Sequence, residues 1–128
     1  MGKRYLIDTN VIIDYTSNLI PLDASNFIEN IFNSDFFISV VVKIEALGYN
    51  EEEKKMRLLE EFISTSTIIP LDDIVTQKTI ELRKLKKLKL GDAIIASTAI
   101  VHNLTLITRN VADFKNIPNL EVVNSHFQ

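Results

Sequence analysis

RYLIDTNVIIDY, residues 4–15, sets an apolar, strand-forming run against an acid, and that acid against a helical pattern. Arg4 to Ile7 reads as a short buried strand, and Val11 to Tyr15 as a helix that starts almost from the strand's end. A strand that becomes a helix across so few polar residues opens a βαβ unit, and the rest of the chain repeats the pattern. Asn26 to Phe32 is helical, Phe36 to Ser39 a second strand, and Val40 to Leu47 a helix even though its valines favour strand. Glu51 to Ile63 has acids in its first turn and Met56, Leu58, Leu59, Phe62 and Ile63 at helical spacing. Thr67 to Leu71 is a third strand, and Asp73 is placed to cap a helix from Ile74 to Leu88. Asp92 falls in the first turn of an Ala-rich helix reaching about His102; Thr105 to Thr108 and Leu120 to Val123 complete the strands. Short apolar strands alternating with helices predict a three-layer α/β/α domain around a central parallel sheet. In such sheets ligands gather beyond the carboxyl ends of the strands, where Asp8 and Thr108 are expected.

Composition bounds the reading. The 128 residues suit one domain spanning 1–128, with 46% hydrophobic and 24% charged residues and no low-complexity run. With no cysteine there is no disulfide framework and no thiolate nucleophile or metal ligand, which suits a reducing cytoplasm. The apolar run after the basic start MGKR breaks at Asp8, too early for a signal peptide or a membrane span, so a cytoplasmic protein without a membrane partner is expected. A net charge of -3 argues against gripping nucleic acid through a general positive field. Any such contact must be local, and RKLKKLK, residues 83–89, is the local candidate. There Arg83, Lys84, Lys86 and Lys87 are expected to meet nucleic-acid phosphates or a partner's carboxylates, against the plainer use of cations at a solvated helix end.

The chain has no GxGxxG, P-loop, GxSxG or HExxH motif, which leaves carboxylates to carry chemistry. Asp8 ends a strand, Glu45 interrupts the apolar stretch ISVVVKIEAL, Asp92 opens LGDAIIASTAI, and Asp113 follows a strand end in TRNVADF. Each has an ordinary alternative: a helix cap for Asp8 and Asp92, a Lys43 partner or solvent for Glu45, a turn for Asp113. Together they point further. Three ionised carboxylates ~5 Å apart repel by ~3 kcal/mol per pair at an effective dielectric near 20, about 10 kcal/mol in all, so such a cluster protonates or binds a cation. Oxygen ligands without cysteine or histidine select a hard ion, Mg²⁺ or Mn²⁺.

LIDTN, ISxxxxxE ending at Glu45, GDAIIASTA around Asp92, LITRNVADF and the terminal FKNIPNLEVVN, in this order over residues 4–123, resemble the ordered motifs of PIN domains, above all the VapC-like toxins of toxin–antitoxin pairs. The resemblance implies an α/β/α fold, Mg²⁺- or Mn²⁺-dependent cleavage of single-stranded RNA, homodimerisation, and an antitoxin whose C-terminal part fills the active groove. It assigns Asp8, Glu45 and Asp92 to the metal, with Thr9, Asn10, Ser39 and Thr108 as polar supports. The family's usual fourth acid, after the TR pair, is here Asn110. If residues 110–114 form a helical turn, Asp113 shares a face with Asn110 and is expected to serve as the fourth catalytic and metal-site acid, by way of water. A phosphate-accepting receiver domain is the competing reading, and the pair Asp72–Asp73 is its one support. A PIN fold retained as a catalytically weak binding module is the other.

Overall fold

The computed structural model describes residues 2–126; Met1, Phe127 and Gln128, the ends of the domain expected over 1–128, lie outside the described residues. Five strands form one sheet: β1 (Tyr5–Ile7), β2 (Phe37–Ser39), β3 (Thr67–Ile69), β4 (Thr105–Thr108) and β5 (Val122–Asn124). Their order is β3-β2-β1-β4-β5, and every pair is parallel, with Leu6 opposite both Phe37 and Leu106. Parallel neighbours need long crossovers, and helices supply most of them: α1 (Thr9–Thr16), α2 (Leu22–Phe32), α3 (Val40–Leu47), α4 (Glu53–Ser64), α5 (Asp73–Leu85) and α6 (Leu90–His102). The expected three-layer architecture is the one found.

From β1 the chain builds outward through β2 to β3, then returns to the other side of β1 to lay down β4 and β5. The reversal falls between β1 and β4, and that switch point opens a crevice at the carboxyl ends of both strands. Leu6, Ile7, Ile38, Leu106 and Ile107 are fully buried there, each contributing about 1.5–3 kcal/mol. Helix α6 buries Ala93 through Ala99 without a break, small side chains among them letting this stretch pack closely in the core. Tyr15, Phe32, Phe36 and Phe62 stack with ring centroids 4.6–5.4 Å apart and lock α1, α2 and α4 together.

Several boundaries differ from the sequence reading. Helix α1 begins at Thr9 because Asp8 itself is the cap, and α2 begins at Leu22, directly after Pro21. Helix α4 begins at Glu53, β3 stops at Ile69, and β5 is Val122–Asn124. Helix α5 is capped by Asp72, whose Oδ1 accepts from Val75 N–H at 2.9 Å, not by Asp73. It ends at Leu85, and Lys86 is extended (φ -149°, ψ 144°). The extension turns Leu88 into the core and lets α6 fold back along α5, so the basic run is half helix and half connection.

Replacing Asp72 by alanine should lower stability by about 1 kcal/mol in urea unfolding, while Asp73→Ala costs less than half of that, since only its favourable placement near the helix dipole is lost. Equal losses would show that the cap has been assigned to the wrong residue.

Candidate active site

Asp8 leaves β1 in extended conformation, its N–H still paired to Ile107 O at 3.0 Å, and its side chain turns back to cap α1. Oδ1 accepts from Thr9 N–H at 2.8 Å; Oδ2 accepts from Thr108 Oγ1 at 2.8 Å and from Asn10 Nδ2 at 3.2 Å. The side chain is buried, and burial raises its pKa against the pull of these donors, with the charge of Glu45 adding to the rise. The capping use and the site use of Asp8 therefore coexist.

Glu45 stands on α3 and its Oε1 accepts from Thr9 Oγ1 at 2.6 Å. Among the described residues it makes no ion pair with Lys43. Gly91 makes room for it, because a Cβ at that position would lie 3.0 Å from Glu45 Oε2. Ser39 is buried and caps α3 through Val41 N–H at 3.1 Å; it does not line the cleft, and it reaches Glu45 only by fixing where α3 starts.

Asp92 sits in the first turn of α6 and is not its cap, since Lys89 holds that position without a side-chain capping bond. Its pKa is raised to about 6, first by burial, then by the charges of Asp8 and Asp113, with Glu45 adding and Lys89 opposing. Asp113 lies in a short 3-10 turn, Val111–Phe114, where its N–H donates to Asn110 O at 3.0 Å. Side chains three apart eclipse in a 3-10 turn, and Asn110 and Asp113 both line the cleft. Asn110 also gives its N–H to Thr108 Oγ1 at 3.0 Å.

Asp8, Glu45, Asp92 and Asp113 thus line one cleft of about 580 Å³ at the switch point, with Thr9, Asn10 and Asn110 among its walls. The fully buried Thr108 lies beneath. Arg83, Lys84, Lys86 and Lys87 do not reach it. They surround a separate shallow depression with Leu85 and Leu88, and only the next cation, Lys89, enters the cleft. The sequence reading passed over Lys89, Asp14 and Arg109, all in the cleft wall. A signal was available for Asp14, which interrupts the apolar VII-Y pattern of α1 just as Glu45 interrupts α3. Asp72 and Asp73, the support for a receiver domain, lie at the start of α5, outside the cleft.

A family model described as the PIN domain matches residues 5–120. The chain belongs to the PIN-domain family. Within it the chain is VapC-like: it is 36% identical over 94% of its length to Ribonuclease VapC2 of Rickettsia felis, 96% of which is covered. Ribonuclease VapC of Rickettsia bellii is 29% identical over 92% of this chain and 93% of its own length. Among solved structures, VapBC2 of Rickettsia felis bound to a promoter DNA fragment superposes with a TM-score of 0.79 at 30% identity, covering 94% of this chain and 97% of the other. A toxin–antitoxin complex from Klebsiella pneumoniae gives 0.78 at 32% identity, with the same coverage.

The carboxylates of this PIN domain make its stability depend on pH. Asp92 binds its proton more tightly folded than unfolded, so between about pH 4 and 6 the folded state holds more protons and loses stability as pH rises. With chelator present, the advantage in Tm of Asp92→Asn over the parent should be small at pH 4 and grow through pH 6, then level off. A constant difference would show that Asp92 is not under strain from its neighbours.

Gly91→Ala should have opposite effects on stability and activity. Alanine is favoured over glycine by up to about 1 kcal/mol in a helix and by less in the first turn, where Gly91 lies, so Tm should rise slightly, while the displaced Glu45 carboxylate lowers whatever activity depends on it. A variant that gains stability and keeps full activity would show that Glu45 has no fixed place to lose.

Proposed function

We propose that this PIN domain is an endoribonuclease that cleaves single-stranded RNA with the help of Mg²⁺ or Mn²⁺, and that it is the toxin of a toxin–antitoxin pair. The observation that supports it best is the cleft itself, where Asp92 is held near pKa 6 partly by the charges of Asp8, Asp113 and Glu45. Such a group of acids gains from a cation. Its donors are all oxygens, and neither described histidine lines the cleft, so the chemistry fits a hard divalent ion. Among the described residues no three of the acids converge into a ready metal-holding set as they stand, so small side-chain movements must draw them together. Asp8, Glu45 and Asp92 would hold the ion, with Asp113 reaching it through water.

When bound, such an ion supplies Lewis-acid stabilisation of the phosphodiester and a more acidic attacking water. The chain's own residues supply order. Thr108 and Asn10 fix the Asp8 carboxylate, and Thr9 orients Glu45 from the same turn that caps α1. Asp92 directly precedes the buried run Ala93 to Ala99 of α6, which anchors it. Lys89 is an exposed cation at the rim for an incoming phosphate, and Arg83, Lys84, Lys86 and Lys87 extend that charge beyond the cleft for RNA or antitoxin.

An antitoxin segment would take the cleft together with an adjoining groove of about 370 Å³, which shares Ile13 and Tyr49 with it and is walled by Leu58 and Leu59. Relatives crystallised as toxin–antitoxin complexes support that partner. We place the protein in the cytoplasm, as a homodimer; no helix among the described residues is long and apolar enough to cross a membrane.

Cleavage of a single-stranded RNA should require Mg²⁺ or Mn²⁺. Asp8→Asn and Asp92→Asn should each lower it by at least ~100-fold, beyond the roughly 10–100-fold that loss of an outer partner of a metal ligand costs. Thr9→Val, which releases Glu45, should fall within that smaller range. Full activity in excess chelator would end the metal reading, and full activity in both aspartate variants would move the active site elsewhere.

A further inference from the structure

One cation of the cleft is held in a way that no role for the four acids explains. Arg109 follows Thr108 at the end of β4, and its backbone N–H donates to Asn10 Oδ1 at 3.0 Å. Its Nη1 donates to both oxygens of Asp14, at 3.0 and 2.8 Å. The Asp14 side chain, on α1, is only 5% exposed, whereas that of Arg109 is 47% exposed and lines the cleft. An ion pair between two surface side chains wanders and contributes little. Here one partner is built into a buried helix face, so the guanidinium is held there through Nη1.

A guanidinium carries five N–H donors in one plane. Nη1 is the nitrogen that meets Asp14, and the donors on Nη2 and Nε have no hydrogen-bond partner among the described residues. His126 Nε2, 3.5 Å from Asp14 Oδ2, is a second neighbour of the acid. The simpler account is that Arg109 merely neutralises Asp14. It leaves Asp14 itself without a purpose, because a buried ion pair is often no more stabilising than apolar residues of the same volume. Taken as a mount for Arg109, Asp14 has one.

We propose that Arg109 contacts the substrate, donating from Nη2 and Nε to a backbone phosphate next to the one cleaved, and that Asp14 is its positioning residue. This rests on the RNA reading above and adds a binding contact to it. Four acids repel a polyanion, and among the cleft's lining residues the cations are Lys89 and Arg109. Because Asp14 cancels the guanidinium's charge, the contact contributes direction and paired donors more than field strength.

The test uses the Asp92→Asn protein, disabled for cleavage, titrated with a short fluorescein-labelled single-stranded RNA and read by fluorescence anisotropy. Adding Arg109→Lys should weaken Kd by about tenfold, the scale of a lost paired phosphate contact, while Tm barely moves because lysine can still pair with Asp14. Asp14→Asn should weaken binding in the same direction, and in the cleaving protein it should raise KM more than it lowers kcat. Unchanged Kd in both variants overturns the assignment and leaves RNA as the substrate. No binding by the parent with Arg109 intact overturns both this assignment and the RNA reading. If Arg109→Lys does not fold, the Nε–H resonance of Arg109 in the parent decides: it must shift on titration with RNA, and a resonance that stays put overturns the contact.

Discussion

Thr108 Oγ1 donates a 2.8 Å hydrogen bond to Asp8 Oδ2 across the boundary between β1 and β4, and the site is organised around that contact. It joins residues a hundred positions apart at the one place where the strand order reverses. The same hydroxyl accepts from Asn110 N–H, which sets the start of the 3-10 turn that brings Asp113 to the cleft. On the other side of Asp8, the Asn10 side chain donates to the carboxylate and accepts from Arg109 N–H. The first turn of α1 and the segment after β4 are therefore tied by neutral hydrogen bonds to a single carboxylate. The sheet supplies the rigidity, since β1 and β4 stay in register at all three residues of β1.

What the sequence made legible and what it hid have a common physical origin. Local patterns carried the elements: the Val40–Leu47 helix was read correctly against its β-branched composition, and the all-parallel sheet followed from strict alternation. Four acids separated by dozens of residues were legible as candidates because each breaks an apolar context. Side-chain geometry was not legible. Nothing in one dimension distinguishes Asp72 from Asp73 as the cap, or says that α5 stops at Leu85, since those outcomes depend on how α5 must end for Leu88 to reach the core. Where the basic run lies relative to the cleft was hidden for the same reason. Being next to Asp92 in sequence brought only Lys89 to the cleft.

Scarcity of glycine shows how the same chain handles tight connections. With three glycines in all, the left-handed backbone positions are taken by Asn18, Asn103, Asn116 and Asn119, at φ between 55° and 66°. Asparagine tolerates this region better than other side-chain-bearing residues. Asn103 ends α6 in this way and turns the chain into β4. That leaves Gly91 as the glycine at the cleft, kept for clearance from Glu45 rather than for backbone freedom. In this first turn of α6 the glycine is explained by the close approach of the Glu45 carboxylate.

The two buried acids of α1, one its cap and one within it, show how the fold separates structure from chemistry. Asp8 and Asp14 are 5% and 3% exposed, and either charge costs free energy unless compensated. Asp14 receives a guanidinium on both oxygens. Asp8 receives only neutral donors: a threonine hydroxyl, an asparagine amide and a backbone N–H. Neutral donors orient a carboxylate without cancelling its charge, and the raised pKa of Asp8 reflects a group still short of a cation. Had the fold given Arg109 to Asp8, the site would be quieter electrostatically and of no use to a divalent ion. By assigning it to Asp14, one turn and a half further along the same helix, the chain compensates that acid and leaves Asp8 uncompensated, as the proposed divalent ion requires.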